Sequence, residues 1–238
     1  MRLDKFLADM NFGTRREVKG YIKKGLVMVN NQIIKSDKFH VNEKEDIVEF
    51  DGEPVNYQKN FYYLLHKPGG VISATVDNYD ETVLDLFQDD DFRDDLFPVG
   101  RLDKDTEGLL LIMNDGQLAH RLLSPKKHVD KEYYAKVAGI MTTEDQEKFR
   151  EGLTIDGGEV CLPAELTIES VDEASQTSEI RLILHEGKFH QVKRMVQAVG
   201  KEVTYLKRLR MGPILLDESL DLGEYRPLTQ EELTLLQG

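Results

Sequence analysis

Residues 99–113 put a short charged turn, Gly100-Arg101-Leu102-Asp103-Lys104-Asp105-Thr106-Glu107-Gly108, directly before the apolar run Leu109-Leu110-Leu111-Ile112-Met113. A short, continuous apolar run bounded by turn residues reads as a strand buried on both faces. A tight charged turn leading into a rigid strand is a sound way to fix a reactive carboxylate. Two readings of the turn stay open at this level. Asp103, Asp105 and Glu107 are solvated turn residues, or the loop presents a carboxylate together with Arg101 to one ligand.

At 238 residues the chain accommodates one large or two modest domains with ample core. No apolar run reaches the length of a membrane span, and Met1-Arg2-Leu3-Asp4-Lys5 does not read as a signal peptide. A cytoplasmic protein without membrane contact is expected. The single Cys161 excludes an internal disulfide framework and a cysteine-based zinc site. The formal net charge of -13 argues at first against a nucleic-acid partner. The charge is segregated, however. Residues 1–38 carry nine Lys/Arg against four Asp/Glu, residues 186–210 seven against two, and acid is concentrated in residues 77–95. Phosphate binding depends on the face presented rather than on the sum.

Leu3, Phe6, Leu7 and Met10 fall at the spacing of a short amphipathic helix, which Asn11-Phe12-Gly13 breaks. Thr14-Arg15-Arg16-Glu17 reads as a capping box opening a second helix that ends at Gly25. On that helix Arg15, Lys19 and Lys23 lie four apart and share a face, with no acids interleaved at the same spacing. This face, with Arg16, is expected to contact phosphate rather than to be merely solvated. Leu26-Val27-Met28-Val29 begins a strand that turns at Asn30-Asn31, and Glu53-Pro54-Val55-Asn56-Tyr57-Gln58-Lys59 reads as the end of a module and a short linker.

Beyond residue 60, strands are expected at 61–65, 131–137, 180–184 and 203–210, with a turn at His66-Lys67-Pro68-Gly69-Gly70. Helices are expected at 82–87, at 117–123 before Ser124-Pro125, after a cap of Thr143 with Gln146, and after a cap of Thr229 with Glu232. Val192, Met195, Val196 and Val199 form a helical core stripe. Arg194 points away from it, toward solvent or RNA, and Lys193 sits on its shoulder, within reach of a partly buried partner. Strands and helices do not alternate as in a doubly wound sheet, and no Gly-rich phosphate loop follows a strand. The histidines lack ligand spacing, and His190 is a candidate RNA contact.

Three motifs occur in order: Gly100-Arg101-Leu102-Asp103 with Asp105-Thr106-Glu107-Gly108-Leu109-Leu110, then Lys131-Glu132-Tyr133, then His190-Gln191-Val192-Lys193-Arg194-Met195. Together they resemble the motifs of pseudouridine synthases. The leading segment, with Arg2-Leu3-Asp4-Lys5-Phe6-Leu7 and Thr14-Arg15-Arg16-Glu17, resembles the S4 RNA-binding module, with Asn31 where that family usually has Gly. The combination resembles that of the ribosomal RNA branch. The 190–195 segment is most similar to its small-subunit members, since large-subunit relatives more often carry Arg where Lys193 stands.

The resemblance implies an α+β chain with an S4 domain over residues 1–58 and a catalytic domain over 59–238. That catalytic domain would have a mixed, largely antiparallel sheet, flanking helices and a cleft across the sheet. It implies isomerisation of uridine to pseudouridine without cofactor or metal, by a monomer acting on 16S ribosomal RNA or the assembling small subunit. The same reaction on 23S ribosomal RNA, or a non-catalytic S4-type assembly factor, are the alternatives. It assigns Asp103 as the carboxylate that attacks C1′ or stabilises positive charge on the sugar, a choice the sequence leaves open. Lys193 would be its cationic partner, and Tyr133 the ring that packs on the target base and helps remove the C5 proton. Arg101 would occupy the gap left by the flipped uridine, with Lys67, His190 and Arg208 as further RNA contacts or cleft scaffolding. The family often has Asn where His66 stands, so His66 receives no role.

Overall fold

The Thr14 side chain accepts from the Glu17 N–H, and the Glu17 carboxylate accepts from the Thr14 N–H at 2.8 Å, so α2 (Arg15–Lys24) starts on a complete capping box. Gly25, at φ 79, ends it in the left-handed conformation. With α1 (Leu3–Asp9) it packs on a four-stranded antiparallel sheet, order β2-β1-β3-β4, made of β1 (Val27–Val29), β2 (Gln32–Ile33), β3 (Val48–Phe50) and β4 (Glu53–Val55). Asn30 and Asn31, at φ 50 and 63, make the two-residue hairpin between β1 and β2. Leu3, Phe6, Leu7, Val18, Ile22 and Val48 form its core. Residues 53–55, expected in a linker, are a strand instead, because they pair with β3 and so complete the sheet.

The computed structural model describes residues 1–124 and 127–238. The chain packs as two compact units, residues 1–61 with 89–93, and residues 62–88 with 94–238. The second unit is built on a nine-stranded mixed sheet. Its elements are β5 (Tyr62–Lys67), β6 (Phe97–Pro98), β7 (Glu107–Met113), β8 (Lys131–Ala138), β9 (Glu165–Asp172), β10 (Thr177–Leu184), β11 (Glu202–Met211), β12 (Ile214–Leu215) and β13 (Tyr225–Pro227). The order is β13-β5-β7-β11-β8-β10-β9, with β6 on β7 and β12 on β11. All pairings are antiparallel except that of β7 with β11, which are joined in parallel by two residue pairs, Glu107 with Lys207 and Gly108 with Arg208.

Two cores flank that parallel seam. Leu64, Leu109, Leu111 and Met113 pack with α3 (Gly116–Leu123) and α6 (Gln230–Gln237). Ala135, Val137, Ile180 and Leu182 pack with α4 (Thr143–Glu151) and α5 (Gln191–Ala198). The run 109–113 is wholly buried, as its composition requires. No helix among the described residues is long and apolar enough to cross a membrane.

Several local expectations are corrected. Residues 82–87 form successive turns rather than a helix, with Asp85 N–H on the Thr82 carbonyl and Phe87 N–H on the Leu84 carbonyl. The Val83 N–H is committed to the Ile72 carbonyl at 3.0 Å, and Thr82 bridges to Ile72, so the segment is tied to a neighbouring strand-like stretch instead of propagating as a helix. The cap of α4 is Thr142 with Asp145, one residue earlier than Thr143 with Gln146, because it is the Thr142 hydroxyl that accepts from the Asp145 N–H. Strand β9 has no expected counterpart, its burial alternating weakly along an edge. Thr229 and Glu232 cap α6 as expected. Helix α3 stops at Ser124, and Pro125 lies outside the described residues.

Candidate active site

Three segments of the second unit converge on one cleft. The first is the turn before β7. The Thr106 N–H donates to the Asp103 carbonyl at 3.1 Å and closes the turn. The Lys67 ammonium, at the end of β5 and fully buried, donates to the carbonyls of Pro68 (2.9 Å), Asp103 (3.1 Å), Lys104 (3.3 Å) and Thr106 (2.9 Å). Burial lowers its pKa to about 8, against the pull of Asp105 and Asp103. Lys67, expected as a further RNA contact or as cleft scaffolding, has its ammonium on four backbone carbonyls, the arrangement of a scaffold. It shapes the loop that carries Asp103. Lys67→Met, nearly equal in volume, is expected to orphan these carbonyls and cost about 3 kcal/mol in stability, measured as a fall in the urea midpoint at constant m-value.

The second segment is the entry to α5. Val192, Met195 and Val196 are buried and set the helix rotation. Lys193, one residue off that stripe, reaches Asp103 Oδ2 at 3.0 Å and Asp105 Oδ1 at 2.6 Å. Burial works against the Lys193 charge, but the hydrogen bonds to Asp105 and Asp103 outweigh it and raise its pKa. The Lys193 hydrogen bond lowers that of Asp105. His190 caps the helix at φ 48, ψ 33, a conformation that costs a non-glycine residue about 1 kcal/mol or more. Its Nε2 lies 3.5 Å from Asp103 Oδ1, and its ring stacks on exposed Phe189 with centroids 3.7 Å apart. Arg194, expected to face solvent or RNA, is instead bound to Asp156, to Glu159 at 2.6 Å and to the Phe189 carbonyl at 3.1 Å. Acids from the 156–159 loop, which sequence spacing does not reveal, account for the difference.

The third segment is the β8–β11 pair. Tyr133 stands directly opposite Arg208, so both project from one face, and Lys131, two residues before Tyr133, shares it. Glu132 falls on the other face, where Arg210 at 2.9 Å and Arg181 at 3.3 Å take its carboxylate.

A cavity of about 190 Å³ lies among these segments, lined by Arg101, Asp103, Thr106, Lys131, Tyr133 and Arg208, with His190 also at its wall. Thus five of the expected residues, Arg101, Asp103, Tyr133, His190 and Arg208, line one cavity, and Lys193 borders a depression beside it with Asp103 and Asp105. Arg101 is exposed and has no ion pair among the described residues. Arg208 is 2 % exposed, its Nε donating to the Leu109 carbonyl at 2.8 Å. Sequence reasoning missed Thr106 and Lys131 as wall residues. The signal for Lys131 was its two-residue spacing from Tyr133 on a strand.

In the first unit, two of the four cations expected to face phosphate are already engaged. Arg15 holds the fully buried Asp4 at 3.0 Å, and Lys19 lies 3.4 Å from Asp37 and 3.8 Å from Asp4. The acids come from α1 and the 34–40 loop, not from α2. Arg16 and Lys23 are exposed, have no ion pair among the described residues, and lie seven residues apart on one helix face.

Comparison with known proteins agrees with this geometry. Residues 61–198 match the family described as RNA pseudouridylate synthase, and residues 1–48 match the S4 domain. The chain is 50% identical over 236 residues to the uncharacterized RNA pseudouridine synthase YtzG of Bacillus subtilis, covering 99% of this chain and 98% of that one. It is 44% identical over 234 residues to ribosomal small subunit pseudouridine synthase A of Vibrio vulnificus, covering 98% of each. Ribosomal large subunit pseudouridine synthase B of Bacillus subtilis is 39% identical over 238 residues, covering 100% of this chain and 96% of that one. A solved structure described as a pseudouridylate synthase superposes with a TM-score of 0.68 at 35% identity, covering 99% of both chains. By sequence, fold and motif order, the chain belongs to the RNA pseudouridylate synthase family, with an S4 domain in front of the catalytic one.

Proposed function

We propose that the enzyme converts a uridine of small-subunit ribosomal RNA to pseudouridine, with Asp103 as the carboxylate that acts at C1′. The observation that carries the assignment is the 3.0 Å contact of Lys193 with Asp103, at a cavity whose wall also includes Tyr133. Breaking the glycosidic bond leaves its electron pair on N1 of the uracil and an electron-poor C1′. Asp103 Oδ1 or Oδ2 meets C1′, either by bonding to it or by its charge alone, and Lys193 supplies the counter-charge in a partly desolvated site. After the base turns, C5 bonds to C1′, the C5 proton leaves and N1 takes one up, so the product is an isomer. The Tyr133 ring serves as the wall on which the base turns. Arg101, exposed and without an ion pair among the described residues, suits the space vacated by the flipped nucleotide.

The small-subunit target is supported by the 190–195 segment, whereas overall identity does not separate the targets, at 38% to 44% for small-subunit enzymes and 39% for a large-subunit one. The second reading, a large-subunit target, rests on that latter relative. Pseudouridine mapping of both ribosomal RNAs, naked and in assembling particles, decides between them. A new modification in small-subunit RNA is expected. One confined to large-subunit RNA overturns the target.

The exposed α2 face is proposed to bind phosphate through Arg16 and Lys23. Arg16→Glu with Lys23→Glu should weaken RNA binding and lower the slope of log affinity against log salt by about 2. An unchanged slope in a salt titration would leave this face merely solvated.

A further inference from the structure

We propose that Lys131 and Arg208 together stabilise the uracil ring as an anion in the interval between loss of its bond to C1′ and attack by C5. The proposal rests on the reading of Asp103 and its cavity given above.

Both cations are at least nine-tenths buried, 8 % and 2 % exposed, and neither has an ion pair among the described residues. The Lys131 ammonium donates to the Val129 carbonyl at 3.1 Å. Burial, and after it the repulsion of Arg208, lowers its pKa. The acids nearby are spent elsewhere. Asp103 faces Lys193, and Glu186 takes the Leu162 N–H at 2.9 Å, the Gln191 amide at 2.7 Å and Lys188 at 3.3 Å. Asp130 faces His185 at 2.9 Å and Arg210 at 3.4 Å, and Glu132 is on the opposite side of the sheet. Two buried positive charges without a counter-ion are costly in an empty cavity and strongly favourable toward an anion that enters it.

The polar atoms agree with a base as that anion. Arg208 Nη2 and Thr106 Oγ1 are buried and have no hydrogen-bond partner among the described residues, and both residues line this cavity. Buried groups in a native structure are rarely left so. A uracil offers two carbonyl oxygens, over which the electron pair left on N1 is delocalised. A guanidinium N–H and a hydroxyl suit those acceptors. Charge then develops where fixed donors already wait, and returns to the sugar when C5 attacks.

The test varies the leaving group. Fluorine at C5 withdraws electrons, so a 5-fluorouracil anion needs less help from the protein. Single-turnover loss of the original glycosidic bond is measured by digestion and mass spectrometry, on RNA carrying uridine or 5-fluorouridine at the mapped position. Lys131→Met keeps the apolar stem and is expected to be about a hundredfold slower on uridine RNA. On fluorouridine RNA the deficit should shrink about tenfold. Lys131→Arg, which keeps the charge, should recover most of the rate. Arg208→Gln should show the same leaving-group dependence. If its lost bond to Leu109 unfolds it, Lys131→Met decides alone. Equal deficits on the two RNAs, or a Lys131→Arg variant as slow as Lys131→Met, overturn the proposal. Wild-type protein that leaves both RNAs unchanged overturns instead the underlying reading, before any variant is compared.

Discussion

Asp103→Asn is expected to bind RNA as the wild type does and to form no detectable pseudouridine, a loss of about 10⁴-fold in single-turnover rate. The substitution is nearly isosteric, and the turn does not depend on the carboxylate. The Asp103 carbonyl still accepts from Lys67 at 3.1 Å and from the Thr106 N–H at 3.1 Å. Lys193 retains Asp105 at 2.6 Å. What disappears is a negatively charged oxygen at the cavity wall, so the loss reports chemistry rather than folding. Asp105→Asn is the matched control. It touches the same ammonium, but its side chain is 73 % exposed, and its removal should cost less than about tenfold. Quenched-flow assays with filter binding on both variants measure the contrast. Near-normal turnover by Asp103→Asn, or equal losses in the two variants, would remove Asp103 from the reaction.

Much of this site could be read from local pattern. The buried run 109–113 marks β7, and the stripe of Val192, Met195 and Val196 fixes the rotation that brings Lys193 to Asp103. These are short-range regularities of strand and helix, and they survive folding unchanged. What could not be read were partners supplied from elsewhere in the chain. Lys67 finds carbonyls 36 to 39 residues away, so a basic residue in a turn left RNA contact and cleft scaffolding both open in sequence. Arg194 is taken by the 156–159 loop, and Arg15 and Lys19 by Asp4 and Asp37. In each case a cation appears free in sequence because its acid has no fixed spacing from it. The family motif carried Tyr133, and two-residue strand spacing puts Lys131 on its face, but only the register sets Tyr133 opposite Arg208.

Gly108→Ala is expected to be the most destabilising single methyl addition in the second unit, at about 4 kcal/mol or more. A Cβ at Gly108 would stand 2.2 Å from the Arg208 carbonyl oxygen and 2.6 Å from its nitrogen, backbone atoms that have no rotamer to escape into. Its φ of 106 adds about 1 to 3 kcal/mol of strain for any L side chain. The clash falls on the parallel seam, where β7 and β11 share only two residue pairs. Around it, Tyr205 donates to Glu107 at 2.6 Å and Arg208 to the Leu109 carbonyl at 2.8 Å. Asp103 enters the site with β7, whereas Tyr133 and Arg208 come with the strands beyond the seam and Lys193 with the helix packed on them. Wedging the seam therefore separates the carboxylate from its counter-ion and from the wall on which the base turns. Activity should fall further than the folded fraction does, since a shift of about 1 Å is enough to cost a hundredfold. Gly116→Ala is the control, because a Cβ there meets nothing within 4 Å, and it should melt within about 0.5 kcal/mol of the wild type. If Gly108→Ala melted alongside that control and kept its turnover, the close contact of β7 with β11 would not be what holds Asp103 against Lys193.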